Sequence, residues 1–540
     1  MSLIYPNETV KLYSGIKIDP NYVNTLRWQN AAAQQTFFHT TYTPAAVLTA
    51  LSYQRVTKGV IRVQLPVGQL NTVNYMAFLN SDLNNKWFYA FVSRVEYVNN
   101  ITSDIYYELD YVQSYYFDTP FLNCFIEREH VADDTRGLHT LNEPININAL
   151  KAYNRHKKLF TTWYICLYQS EEGAGSQLEG KMLISRVGAM PSACKLYAHK
   201  MENAADYTHF QEWLVQHTSD KETVINMFLY PAELTHYINE VDGVTYWSLI
   251  DVAQTIQFPT QVDGYTPKNN KVLTYPFCYL SVDNGEVANI YKYEDFEITQ
   301  QTGNAMQFII EGCPTSTPTI TLAPTNYKAS GNSQCYEERL QMQQLPQVAF
   351  PIDSYRAWLA QTESTRMNKV ISSGLTSAGS MAMTGATLGS AVPGIGTAAG
   401  AAAGALIGAI TGAVGGMISN AYAESEAENM KNHVSGASMS SMAIAGSKFG
   451  YTFKWMGVRA EQAKVIDDFF TMFGYQVNVV KHPDIYTRPH WNYLKTNGCA
   501  FGGSAPAEAV QALKRIHDRG ITYWADHSEI GNYTLNNAPV

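Results

Sequence analysis

The chain has 540 residues, with 38 Lys and Arg against 47 Asp and Glu, a formal charge of −9. Such a balance disfavours phosphate-driven nucleic-acid binding. Charged residues at 16% and aromatics at 12%, including 36 tyrosines, exclude a disordered chain and suit a β-rich protein that buries surface between subunits.

The opening segment, Met1 to Glu8, has neither a basic region nor an apolar core, so no secretory signal is expected. Residues 40–120 read as strands. Ile61, Val63 and Leu65 alternate with Arg62 and Gln64, and Ile105, Tyr107, Leu109 and Tyr111 alternate with Tyr106, Glu108 and Asp110. A period of two with β-branched and aromatic residues predicts sheet with one buried face. Further on, Phe296, Ile298 and Gln300 lead into Thr302-Gly303-Asn304, and Met306, Phe308 and Ile310 return, which predicts a hairpin. The loop Ser170 to Ser176 and the Pro-rich stretch Gly312 to Pro324 punctuate the middle. Helical composition is confined to Asp353–Lys369, Ala460–Phe473 and Pro506–Arg519.

One segment breaks the β pattern. From Val370 to Ala423 there is no Asp, Glu, Lys or Arg. Pro393-Gly394 marks a turn between two arms, Ile371–Val392 and Ile395–Ile418. Each arm, if helical, spans about 30 Å, one hydrocarbon core. Gly396, Gly400, Gly404, Gly408, Gly412 and Gly416 recur every fourth residue and lay one smooth stripe on a helix face, which lets backbones approach closely in lipid. Gly385 and Gly389 continue that spacing in the first arm, and Leu406, Ile407 and Ile410 supply the stronger apolar character in the second. Arg366 and Lys369 precede the segment and Glu424, Glu426 and Glu428 follow it, so an antiparallel hairpin brings these charges to one base. Gly, Ser and Thr are weak membrane residues, so one copy inserts poorly and several packed copies fit better. Glu424, Glu426, Glu428 and His433 are expected to set a pH dependence, since protonating the carboxylates lowers their cost near lipid.

Seven cysteines, Cys124, Cys166, Cys194, Cys278, Cys313, Cys335 and Cys499, are scattered, odd in number and form no CxxC, so they read as buried thiols of a reducing cytoplasm. The sequons at Asn7, Asn100 and Asn532 are then chance matches. The sequence carries no G-x-S-x-G, HExxH or GxGxxG, and the nearest Walker loop, Gly175 with Gly180-Lys181, has Met182 where Ser or Thr is needed. The pairs His482/His490 and His517/His527 lack carboxylate or thiol partners at ligand spacing. Glu127 and Glu129, two apart on a strand, share a face and invite a glycan-cleaving reading, against which stands salt bridging to arginines across subunits. Arg488 reads as a structural hydrogen-bond donor and Trp87-Phe88-Tyr89 as core or interface. No enzyme, metal or cofactor is expected.

Two blocks carry a resemblance. The first holds Asn85-Lys86-Trp87-Phe88-Tyr89-Ala90-Phe91-Val92 and Phe125-Ile126-Glu127-Arg128-Glu129-His130-Val131. The second holds Gly474-Tyr475, Asn478, Pro483, Thr487-Arg488, Asn492-Tyr493, Thr496 and Cys499, then Gly520-Ile521-Thr522, Trp524 and Ile530-Gly531-Asn532-Tyr533. In number and order these resemble the tail knob (distal tail tube) proteins of phi29-like podoviruses, over about 40–130 and 350–540; Ala525-Asp526 departs from the usual pattern. The resemblance implies a mainly β fold, β-barrel-like tube domains with short helices, plus one long apolar Gly/Ala-rich loop or helical hairpin. It implies a homo-hexameric conduit at the virion tail tip, made in the host bacterial cytoplasm. The expected partners are the upper tail or collar, the fibres and the host cytoplasmic membrane, and phage double-stranded DNA passes through without specific binding. The layout expected is an N-terminal tube domain (1–132), middle β-rich domains (133–349), a helix leading into the loop (350–370), the membrane-active loop (371–423), a returning segment (424–458) and a C-terminal part completing the tube (459–540). A purely structural tube or plug, or a wall hydrolase or adhesin, is the alternative.

Overall fold

The computed structural model describes residues 8–51, 59–80, 85–147, 149–170, 182–184, 194–201, 224–241, 244–299, 303–315, 317–328, 338–342, 345–346 and 449–540. The chain is mainly β, with few short helices. It divides into two compact units: Met1–Ala149, Gln261–Phe277 and Val458–Val540 form one, Leu150–Thr260 and Cys278–Gly457 the other.

The first unit contains two sheets. One has six strands in the order Ala46–Leu51, Glu8–Ser14, Val73–Asn80, Lys86–Asn99, Thr102–Leu109, Val60–Val63. The period-two reading holds here: Ile61 and Val63 are buried while Arg62 is exposed and reaches across to Asp104 on the next strand at 2.7 Å. The alternation through Tyr111 stops earlier than its pattern suggests. Asp110 leaves the strand, and its carboxylate accepts from the Gln113 N–H at 3.0 Å, capping a short helix, Tyr111–Tyr115. The Tyr75 hydroxyl donates to the other Asp110 oxygen at 2.9 Å. Burial pushes the Asp110 carboxyl up to about 6, and the Gln113 N–H and Tyr75 hydroxyl oppose that shift.

The second sheet of this unit runs Asn24–Leu26, Ile521–Trp524, Trp491–Asn497, Cys124–Glu129, Tyr475–Lys481. It joins the N-terminal and C-terminal parts of the chain, for residues 24–26 pair in parallel with residues 522–524. Helices Ala460–Phe473 and Ala507–Arg519 occupy the stretches that composition marked. An aromatic core links the sheets: Phe38 packs on Tyr75 (5.7 Å) and Tyr89 (4.5 Å), and Trp491 on Trp524 (5.1 Å). Phe88 and Tyr89 are buried as expected, and Trp87 stacks on His39 at 4.0 Å.

Among the described residues the second unit holds three sheets. The six-stranded one is ordered Val224–Pro231, Trp163–Ser170, Cys194–Met201, Met182–Ile184, Val244–Leu249, Thr235–Val241. A four-stranded sheet runs Val252–Gln257, Ala305–Cys313, Thr319–Pro324, Leu340–Met342, and another Ala288–Tyr291, Cys278–Asp283, Gly450–Val458, Leu150–Leu159. The hairpin expected at residues 296–310 is not formed as such. Gly303 and Asn304 do take left-handed backbone, and Ala305–Cys313 is a strand. Its neighbours are Val252–Gln257 and Thr319–Pro324, which satisfy both of its edges, while Phe296 bridges Tyr327 instead. Gln300 and Thr302 lie outside the described residues. Cys124, Cys166, Cys278 and Cys499 are buried thiols, and Cys313 is half-buried.

Candidate functional site

The apolar segment Ile371–Ala423, with its glycines from Gly385 to Gly416, lies outside the described residues. So do Arg366, Lys369, Glu424, Glu426, Glu428 and His433, the helix expected at Asp353–Lys369, the loop after Ser170 and Gly175, Gly180 and Lys181. The described residues on either side of residues 347–448 are Pro346 and Phe449. The Leu229 N–H donates to Pro346 O at 2.9 Å, and the Phe160 N–H donates to Phe449 O at 2.9 Å. Phe449 also packs edge-on to Trp163 at 5.1 Å. Trp163 faces Pro231 and Ile165 faces Leu229 across paired strands, so Pro346 and Phe449 attach to one region of the second unit.

In the first unit the side chains with the densest chemistry surround Glu143. Its carboxylate is buried and ion-paired with Arg128, and Lys271 Nζ reaches Oε1 at 2.6 Å. The Gln476 N–H donates to the same oxygen at 3.0 Å, and Arg128 Nη1 donates to Gly474 O at 2.8 Å. Lys271 also lies 5.3 Å from the Tyr475 ring centre and 5.7 Å from that of Phe470. Burial lowers the Lys271 pKa, and the Glu143 charge opposes that. Four chain segments meet on one carboxylate, a network that local sequence patterns do not expose.

Beside it opens a cleft of about 650 Å3. Phe469 and Phe473, one turn apart on the Ala460–Phe473 helix, and Tyr493 form an aromatic wall. Phe473 lies 5.2 Å from both Phe469 and Tyr493, the latter edge-on. Glu127 enters the cleft through a β-bulge. Residues Lys495 and Thr496 pair with Arg128 and Ile126, leaving Glu127 unopposed, and its carboxylate meets Lys495 Nζ at 2.6 Å.

That bulge corrects the same-face reading of Glu127 and Glu129. Glu127 and Arg128 both line the cleft, whereas Glu129 is buried, ion-paired with Lys481 and absent from the lining. Burial raises the Glu129 carboxyl against the pull of that lysine. Both cleft carboxylates, Glu127 and Glu143, are held by basic side chains of the same chain, an arrangement for binding rather than for proton transfer.

The remaining candidates have structural partners. Arg488 is buried, with Nη1 donating to Asn537 O at 3.0 Å. His130 accepts from the Tyr493 N–H at Nδ1 (2.8 Å), so Nε2 carries the proton toward Thr471 O (3.1 Å). Burial, with Arg488 nearby, pulls its pKa down to about 3. His517 bridges Leu513 O and the Tyr523 hydroxyl, and burial lowers it to about 4. His490 meets Glu529 at 2.9 Å, and His527 accepts from the Lys17 N–H at 3.0 Å. His482 lies 6.5 Å, ring to ring, from Phe121. Among the described residues no three His, Cys, Asp or Glu gather to hold a metal, and no helix is long and apolar enough to cross a membrane.

Comparison with known proteins places these features. Residues 248–538 match the family model described as Bacillus phage phi29, tail knob protein gp9, C-terminal domain, and residues 6–120 match the caudoviral major tail protein N-terminus. Tail knob protein gp9 of Bacillus phage B103 is 24% identical over 603 aligned positions, covering 98% of each chain. Tail knob protein gp9 of Bacillus phage phi29 is also 24% identical with the same coverage. Among solved structures, the bacteriophage C1 tail knob protein, gp12, superposes with a TM-score of 0.61 at 13% identity, covering 98% of this chain and 99% of that one. That last likeness is one of fold.

Proposed function

The chain belongs to the family of phi29-type tail knob proteins and is a structural component of a phage tail, and from that premise we propose that it closes the tail tip as a hexameric conduit whose apolar segment perforates the host cytoplasmic membrane. The observation that carries the proposal is the stretch Val370–Ala423, free of formal charge and ribbed by glycines at every fourth position from Gly396 to Gly416. An ordinary solvated linker carries polar residues. Six copies held at one tube end would insert together, their glycine stripes packing helix on helix, with apolar burial at about 25 cal/mol per Å2 as the drive. The bases Arg366, Lys369, Glu424, Glu426 and Glu428 would stay at the interface while the tips around Pro393 cross. Association with other tail proteins follows from the tail assignment. The acidic balance of −9 suits a channel through which DNA passes without being held.

The test is vesicle leakage by purified assemblies, imaged by electron microscopy to count subunits. The Gly404→Asp, Gly408→Asp double variant should assemble as before and release no dye. Leakage that persists in that variant, or rings that are not six-fold, overturns the corresponding half of the proposal. The role of Glu424, Glu426 and Glu428 is read by changing them to Gln and comparing leakage between about pH 7 and pH 5; an unaltered pH profile removes it.

A further inference from the structure

The cleft beside Glu143 is used by nothing proposed so far. Its aromatic wall is only half-buried, although it lies in a concavity where a monomer's core would normally cover such rings: Phe469, Phe473 and Tyr493 all remain partly accessible. The rings are already ordered, since Phe473 packs on both neighbours and the Arg128 guanidinium lies 4.9 Å from the Phe469 centre.

The charge around this wall is unbalanced. Arg128, Lys495 and Arg519 line the cleft, against the two carboxylates of Glu127 and Glu143. Glu143 is shared by two cations and Glu127 is taken by Lys495. Arg519, exposed at the end of its helix, donates to the Asn21 carbonyl rather than to a carboxylate. A local excess of positive charge in a chain of −9 is the reverse of the molecule's average.

We propose that this cleft binds a saccharide unit carrying one negative charge, a phosphate or a carboxylate. The apolar C–H face of a pyranose ring stacks on the face of a single aromatic ring, and Phe469, Phe473 and Tyr493 offer three at different tilts. Planar, fixed guanidinium and carboxylate groups suit its hydroxyls, and Arg519 supplies the anion's partner. The two buried ion pairs hold their own side chains in place, so the site is preorganised before a ligand arrives. This inference is independent of the membrane-active segment, and neither stands or falls with the other.

Calorimetric titration of the full-length assembly tests it with four probes: maltotriose, trigalacturonate, glucose 1-phosphate and inorganic phosphate. At least one of the two charged sugars should bind about tenfold more tightly than maltotriose, the margin of one charge-assisted contact. The tighter of the two identifies the anion. Arg519→Gln, at an exposed position, should bring that sugar to the maltotriose level without moving the thermal midpoint. Phe473→Ala should weaken all the sugars. Absence of saturable binding, equal affinity for neutral and charged sugars, or inorganic phosphate binding as tightly as glucose 1-phosphate overturns the proposal.

Discussion

His130 shows how far a residue's chemistry depends on neighbours remote in the chain. Its ring accepts from the Tyr493 N–H and faces Thr471 O, with Arg488 and Arg128 adding positive charge nearby. Both nitrogens are used and the ring is buried, so the imidazole is held neutral, down to about pH 3. In the unfolded chain it titrates near 6.5. The unfolded state therefore takes up the proton first, and the stabilisation present above about pH 6.5 is lost as pH falls toward the folded value. His517, lowered to about 4, acts in the same direction. Each should cost on the order of 3 kcal/mol by pH 4. Thermal melts between pH 7 and pH 4 should show a steep fall in midpoint, and the fall should be shallower in His130→Asn, whatever that variant's stability at neutral pH. An unchanged slope would mean that His130 is protonated in the folded state. The sequence marked His130 only as part of a family-like block, because its partners lie more than 300 residues away.

At the scale of elements, legibility followed how local the determinants were. The helices Ala460–Phe473 and Ala507–Arg519 stood where composition put them, for helix-forming composition is read within a dozen residues. The hairpin around Gly303 did not, since strand partners are chosen by whole-sheet register rather than by the nearest turn signal. The Glu127 bulge was invisible for the same reason: one extra residue relative to a strand nearly 370 positions away re-aims a carboxylate. Gly474 ends the Ala460–Phe473 helix with φ of +64°, its N–H bonded to Phe470 O at 2.8 Å. A Cβ there would lie 2.1 Å from the Glu129 carbonyl oxygen, which is backbone and cannot yield. Gly531, at φ of +87°, has open space around its missing Cβ. Gly531→Ala therefore pays conformational strain alone, about 1 kcal/mol. Gly474→Ala adds a steric clash and should cost clearly more in denaturant melts, with loss of the adjoining Arg128–Gly474 contact. Equal costs for the two variants would show that the strand at Glu129 shifts freely to make room.

Across the whole molecule, the family blocks and the uncharged stretch were legible because they are features of sequence itself, while the two-unit partition was not. Segments Gln261–Phe277 and Val458–Val540 join the N-terminal residues in one unit, and the second unit is inserted between them. That partition carries a consequence for the apolar excursion. The described residues that flank it are bonded within the second unit, Pro346 to Leu229 and Phe449 to Phe160, and Thr452–Gly457 pairs residue by residue with Cys278–Asp283. Closing a long loop costs little more than closing a short one, since the entropy grows only with the logarithm of length. The sheets should therefore be indifferent to how much chain the excursion contains. Replacing Ile371–Ala423 by a short Gly/Ser linker is expected to leave the thermal midpoint and the assembled particle unchanged while vesicle leakage disappears. A shortened chain that no longer folds or assembles would show instead that the segment is part of the core that holds the sheets together. Leakage by a shortened chain that does assemble would move membrane activity to some other surface of the knob.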